Sequence, residues 1–269
     1  MKTPADWVGY LFLGLIFTGS ALAVFFFAVT RGALLMRSAR AGPGGEAAHV
    51  YPLYANQRLI RLIDFQPIIS AILLFQYHRM VSDITASMRQ LDLRDKQVLI
   101  TSCAFGNVIQ RVVEAAIASG AQRVLIADLI KNELEHARSK LPDFSGQLAF
   151  LEENATAMQQ ADETVQMNLI FFLLHELPHA MKALVLSEAC RVLAPGGTLF
   201  LAEFHRPELR LLRGLSWAYF KIFEPLGLAL WQSHDPLKQL ESMGGFSCER
   251  KTYFFGNFQI ILATKHPAA

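Results

Sequence analysis

VLITSCAFGN, Val98 to Asn107, is the stretch whose reading decides the fold. Val98, Leu99 and Ile100 form an apolar run that reads as a buried parallel strand. A short turn follows, and the pattern from Val108 to Ser119 reads as a helix. Strand, turn and helix is the layout that cradles a cofactor in doubly wound proteins, where glycines let the backbone approach the ligand. This turn offers only Gly106.

Working outward, strands and helices alternate. RVLIADL (Arg123 to Leu129) is a second buried strand, and the helix KNELEHARSKL follows. LAFLEEN (Leu148 to Asn154) reads as a third strand and MNLIFFLLHEL (Met167 to Leu177) begins as a fourth. A helix runs through Leu193, APGG (Ala194 to Gly197) turns the chain, and TLFLAEF (Thr198 to Phe204) is the fifth strand. KTYFFG and NFQIILATK pair as an antiparallel hairpin. The pattern predicts an α/β fold, a doubly wound and mostly parallel sheet with an antiparallel edge hairpin.

Composition bounds the rest. The chain has 269 residues, 52% of them hydrophobic, and a net charge of +2. That charge is too mild to indicate a nucleic-acid partner. Cys103, Cys190 and Cys248 show no metal spacing and read as reduced thiols. From Trp7 to Thr30 no residue carries a formal charge, and an apolar run of this length matches the roughly 20 residues that span a bilayer. Arg31, Arg37 and Arg40 follow it, so the positive-inside rule puts the remaining chain on the cytoplasmic side of the inner membrane, behind a single uncleaved anchor. Three regions are expected: an anchor over 1–40, a linker with a helical cover segment over 41–95, and the α/β domain over 96–269. The cover, rich in Leu, Ile, Phe and Tyr, is open to three readings: a lid, an interfacial segment, or core helices.

Ligands in such sheets bind at the carboxyl ends of the strands near the switch point. Asp128 ends the second strand, where a carboxylate accepts ribose hydroxyls. Gly106 opens the first helix, where amide donors are free. Asn154 ends the third strand, where an amide pairs with an adenine edge. His175 and Glu176 follow the fourth strand, and Glu203 and His205 the fifth, all expected at the ligand edge. His175, Glu176 and His205 are candidate acid–base or quinone-contacting groups. Glu203 and His175 are candidate metal ligands, of types that suit manganese or iron.

These residues carry a resemblance. Asp128 together with EACRVLAPGGTLFLAEF (Glu188 to Phe204) resembles the class I methyltransferases that use S-adenosylmethionine, over roughly Gln97 to Lys265. FFLLHELP, FHRP, EPLGLALW and YPLYANQRLIRLIDF look like the rhodoquinone-biosynthesis proteins called RquA. That resemblance implies amino transfer to ubiquinone, with S-adenosylmethionine as nitrogen source and manganese assisting. It also implies a membrane-embedded isoprenoid quinone as partner, alongside the lipid bilayer. In ordinary methyltransferases the opening loop resembles VLDVGCGTG. Here Ile100 stands at the acid position and Ser102 and Ala104 at two glycine positions, while Cys103 and Gly106 remain. The loop Ser102, Cys103, Ala104, Phe105 and Gly106 is thus the expected cofactor contact, with Asp128 and Asn154. RquA proteins also lack the standard glycine loop, but tend to carry Tyr and Asp where this chain has Phe105 and Asn107, and Asp at Asn154. Two further readings stand beside amino transfer: methyl transfer to a quinone or lipid, and a non-catalytic protein that binds a quinone or a partner.

Overall fold

A computed structural model describes residues 9–21, 24, 40–41, 47–48, 57–103, 105–141, 144 and 146–267. Its centre is a seven-stranded sheet. We number the strands β1 (Gln97–Thr101), β2 (Arg123–Asp128), β3 (Leu148–Glu152), β4 (Val165–Phe171), β5 (Leu193–Phe204), β6 (Phe246–Tyr253) and β7 (Phe258–Lys265). Their order in the sheet is β3-β2-β1-β4-β5-β7-β6. β1 to β5 run parallel, and β7 enters antiparallel between β5 and β6. The doubly wound sheet and its antiparallel hairpin therefore match the sequence reading.

The strands form where the apolar runs are. Val98, Leu99 and Ile100 are buried, as are Val124 to Ala127 and Leu199 to Ala202, because strands covered on both faces expose almost nothing. One expectation shifts in detail. APGG does not end one element and precede another; it lies within β5, where the register jumps from Val165 opposite Leu193 to Met167 opposite Thr198. A side chain at Gly197 would meet the Ala194 carbonyl oxygen at 2.8 Å, which holds that bulge to glycine.

The helices of the α/β domain and the segment before it include α1 (Gln57–Ile63), α2 (Gln66–Ile72), α3 (Tyr77–Met88), α4 (Val108–Ala118), α5 (Lys131–Ser139), α6 (His179–Val192), α7 (Arg210–Phe223) and α8 (Pro236–Met243). The segment read as a cover is helical, and Ile69, Leu73, Tyr77, Met80, Ile84 and Met88 join the same core as the sheet. Of the three readings left open for it, core packing describes these residues. Residues 9–21 are helical and exposed. No helix among the described residues is long and apolar enough to cross a membrane. Residues 7–8, 22–23 and 25–30 of the expected anchor lie outside the described residues, as does Ala104.

The strand order reverses between β1 and β4: β1 leads to β2 in one direction across the sheet and β4 to β5 in the other. This is the switch point, and the carboxyl ends of β1, β2 and β4 open there.

Candidate functional site

A cleft of about 790 Å³, counting its open mouth, lies at those strand ends. Thr101, Ser102 and Cys103 line it from β1, Asp128 to Ile130 and Glu133 from β2 and α5, and Glu153 to Thr156 from the end of β3. Leu173, Glu176, Leu177, Met181 and Val185 close the far side. The lining combines four carboxyl side chains with an apolar wall, a surface for a ligand that has both a cationic, hydroxyl-bearing part and a flat apolar one.

The β1 loop keeps its shape without most of its glycines. Ser102 adopts a left-handed backbone, φ 78°, and its N–H donates to the Ala127 carbonyl at 2.8 Å. That conformation favours glycine, so the position retains the geometry after losing the residue that suits it. Ser102→Gly is expected to stabilise the fold by about 1 kcal/mol, measured by urea unfolding. Asp128 ties the loop to the end of β2. One of its carboxylate oxygens accepts the Cys103 N–H at 2.6 Å and the other the Ile130 N–H at 2.8 Å. Burial pushes its pKa up to about 6, against the lowering effect of those two donors. Asp128 lines the cleft, and a carboxylate oxygen can accept more than one hydrogen bond.

Gly106 and Phe105 sit elsewhere than expected. Neither is among the lining residues. The Gly106 N–H, expected free for a ligand, donates to Asp64 Oδ1 at 2.6 Å. Lys140 Nζ bridges Asp64 Oδ1 at 3.0 Å and the Gly106 carbonyl at 2.8 Å, and His136 Nε2 lies 3.0 Å from Asp64 Oδ2. Burial works to raise the Asp64 carboxyl, but His136, Lys140 and the Gly106 N–H outweigh it and hold it below the ordinary range. Gly106 has φ +82°, and a side chain there would lie 2.4 Å from the Tyr77 hydroxyl. The glycine thus serves packing against α3 and the Asp64 clamp. Asn107 precedes α4 without capping it by its side chain, and its Oδ1 is buried with no partner among the described residues.

Asn154 lines the cleft as expected, its Oδ1 accepting the Thr156 N–H at 3.0 Å. Sequence reasoning missed Glu133 and Glu153. Both are buried, and each has an Oε1 with no partner among the described residues. Burial raises the Glu133 pKa to about 9, with the Asp128 charge adding to the shift, so its carboxyl is neutral at neutral pH. In an unfolded chain it ionises near 4.5, so the native state holds the extra proton between there and about 9, and stability falls with rising pH across that window. Glu133→Gln is expected to raise the melting temperature at mildly alkaline pH and to flatten this slope, measured as thermal melts over a pH series. No local signal marks Glu133, because KNELEHARSKL reads as an ordinary solvated helix.

His175 and Glu203 do meet. The Nδ1–H of His175 donates to Glu203 Oε1 at 3.1 Å, and its backbone N–H donates to Oε2 at 3.2 Å. Phe204 N–H also donates to Oε1, at 2.7 Å. Burial works to lower the His175 pKa, but Glu203, Glu176 and Glu224 outweigh it and raise it to about 9. His175 is therefore an imidazolium at neutral pH, packed against Phe172 and Phe204. It does not line the cleft, whereas Glu176, in the same single turn Leu174–Glu176, does. Lys182 is buried beneath that turn and donates to the Leu174 and Leu177 carbonyls, both at 2.5 Å.

His205 goes to a different place. Its Nδ1–H donates to the Gly256 carbonyl at 2.7 Å, and Arg250 donates to its Nε2 at 3.3 Å. His205 therefore does not join His175 and Glu203, the two candidate metal ligands. Both His205 nitrogens are engaged, and both Glu203 oxygens accept N–H groups. Among the described residues no three His, Cys, Asp or Glu side chains converge as a metal-holding group.

With the geometry in hand, comparison with known proteins is informative. The profile of the ubiE/COQ5 methyltransferase family matches residues 64–245. The ubiquinone/menaquinone biosynthesis C-methyltransferase UbiE of Marinomonas sp. is 31% identical over 121 residues, which cover 44% of this chain and 47% of that protein. The demethylmenaquinone methyltransferase of Shouchella clausii is 30% identical over 142 residues, covering 52% and 59%. The chain thus spans about half the length of these curated relatives. In structure it is similar to magnesium protoporphyrin IX methyltransferase of Synechocystis with bound SAH, at TM-score 0.51 and 17% identity over 70% of this chain and 83% of that one. A putative methyltransferase of Bacillus halodurans gives TM-score 0.50 and 20% identity over 68% and 99%. At these identities the likeness is one of fold.

Proposed function

Because the chain belongs to the ubiE/COQ5 methyltransferase family, we propose that it transfers a methyl group from S-adenosylmethionine to a ring carbon of an isoprenoid quinone precursor. The family match carries this reading, since it covers every strand end that lines the cleft. It replaces amino transfer as the leading reading. The phrases shared with RquA proteins remain, but Glu203 and His175, expected to hold manganese, are hydrogen-bonded to each other, and no group of three His, Cys, Asp or Glu side chains that could hold a metal forms among the described residues, so no step is derived through a metal.

The donor set suits the cofactor. Bound there, S-adenosylmethionine would supply an electrophilic methyl group on a cationic sulfur. Asp128 presents carboxylate lone pairs for vicinal hydroxyls, and Asn154 stands beside it at the end of β3. The Oε1 atoms of Glu133 and Glu153 give the cleft two further polar atoms that have no partner among the described residues. Leu173, Leu177, Met181 and Val185 keep water from the reacting centre. Methylation of a ring carbon releases a proton, and Glu176 is the carboxylate of the β4 turn that faces the cleft. His175 and Glu203 act as positioning residues, holding that turn through the His175 backbone and ring. We further propose that the apolar run Trp7 to Thr30 anchors the protein in the inner membrane, with the α/β domain on the cytoplasmic side, where the quinone ring is reached without the tail leaving the bilayer.

The test is expression of the chain in a strain lacking its own quinone C-methyltransferase, with quinones read by mass. Restoration of the methylated quinone is expected. An amino-substituted quinone would instead establish the RquA-like chemistry, and unchanged quinones with retained S-adenosylmethionine binding would establish a binding-only protein.

A further inference from the structure

Helix α7 presents a surface that the proposed chemistry does not use. Its inner side carries Phe220, buried against Phe204 and Trp231. Leu211, Leu215 and Ile222 fall on one outer stripe and are 78%, 62% and 45% exposed. Trp217, also exposed, lies on the neighbouring side of the helix with Arg210, Arg213 and Lys221. The helix contains no acidic residue, and Arg210 and Lys221 flank the leucines, with Lys221 Nζ 4.6 Å from the centre of the Trp217 ring.

Beside the stripe lies a basin lined by Arg206, Arg210, Arg213, Trp217 and Trp231. Arg213 is oriented by the Pro207 and Glu208 carbonyls, each at 2.9 Å. Arg206 and Arg210 make no ion pair among the described residues, and the buried Nε1 of Trp231 has no hydrogen-bond acceptor among them. Three arginines in one basin wall, with a tryptophan N–H that has no acceptor among the described residues, call for an anionic, acceptor-rich group. Exposed leucines flanked by cations and an interfacial tryptophan, on one helix, suit a surface that is apolar inside and negatively charged at its rim. A second copy of the same helix fits poorly, because it would bring cations against cations.

We propose that α7 docks on a bilayer containing anionic lipids. Leu211, Leu215 and Ile222 enter the acyl boundary, and the Arg206–Arg210–Arg213 basin holds a headgroup phosphate. The docked helix is the one that packs, through Phe220, on Gly227 beside His175, so the membrane would lie close to the turn that bears Glu176. The docking stands independently of the methyl-transfer reading.

The experiment uses the full chain carrying Trp7→Phe, which removes the tryptophan of the N-terminal apolar run. Vesicles of phosphatidylcholine, with and without phosphatidylglycerol, carry brominated acyl chains, and tryptophan fluorescence is recorded. Quenching is expected with anionic vesicles, weakening as salt is added. Trp217→Phe should remove most of the quenched signal. Arg206→Ala and Arg210→Ala should each weaken the quenching on anionic vesicles by about fivefold, with little change on neutral vesicles, whether or not the N-terminal apolar run holds the chain on the bilayer. Leu211→Glu with Leu215→Glu should abolish quenching while leaving the melting temperature and S-adenosylmethionine affinity unchanged. Undiminished quenching in that double variant would overturn the proposal. So would a fall in sedimentation coefficient caused by the same substitutions without vesicles, which would make the stripe an interface between copies. Loss of the quenching in millimolar inorganic phosphate, with the leucine substitutions silent, would likewise overturn docking and leave only a free-anion site.

Discussion

Asp128→Ala is expected to weaken S-adenosylmethionine binding by on the order of a hundredfold, measured by titration calorimetry, and to destabilise the fold by about 3 kcal/mol. The size follows from what the side chain does. Its two oxygens hold the N–H groups of Cys103 and Ile130, at 2.6 and 2.8 Å, and both donors would be left buried without an acceptor. The Cys103 bond fixes the loop that lacks its usual glycines, so the cleft loses shape as well as a ligand contact. Asp128→Asn, which retains one acceptor, should fall between. In the unsubstituted protein the carboxyl has a pKa of about 6, raised from 3.8. The native state therefore holds the extra proton between those values, and this group's contribution to stability falls as pH rises through them. Cofactor binding runs the other way: it is expected to weaken as pH drops below about 6, because the protonated carboxyl loses acceptor strength. An affinity profile flat across that range would sink the assignment.

Glu203→Gln is expected to cost about 3–5 kcal/mol of stability, the loss that follows when one partner of a buried ion pair is removed. Glu203 is fully buried, and its oxygens accept from the His175 ring, the His175 backbone and the Phe204 backbone. The His175 pKa is raised from 6.5 to about 9. The stability this contributes is fully present below 6.5 and is lost as pH rises through about 9. Denaturant melts across that range should show the decline in the unsubstituted protein and its absence in Glu203→Gln. Because the pair positions the turn bearing Glu176, the variant is also expected to lose turnover while keeping most of its cofactor affinity. An affinity loss as large as that of Asp128→Ala would place His175 at the cofactor itself.

The elements of the sheet were legible because parallel strands buried on both faces leave unbroken apolar runs, as in Val98 to Ile100 and Val124 to Ala127. Asp128 was legible by position, since the end of a second strand is where the topology brings a carboxylate to the ligand edge. The approach of His175 to Glu203 is also legible, because His175 follows β4 and Glu203 lies at the carboxyl end of the adjacent parallel strand β5. What stayed hidden depends on contacts distant along the chain. Asp64 sits in LIRLIDF with no local mark, and only the fold brings it to Gly106. Glu133 looks like a solvated helix residue until β2 and β3 are placed around it. His205 was misjudged for a related reason: the β6–β7 hairpin supplies Gly256 and Arg250, and these draw its ring away from His175.

The Asp64 clamp has a consequence for the order in which this protein assembles. The Gly106 loop is closed by bonds between residues 42 positions apart, and Lys140 reaches Asp64 across 76. Such distant pairings are entropically late, because the intervening chain must condense before they form. A glycine-rich loop would take its shape from local backbone preference alone. Here the loop waits for α1 and α5 to arrive, so the cleft is expected to be among the last parts of the protein to become native during refolding.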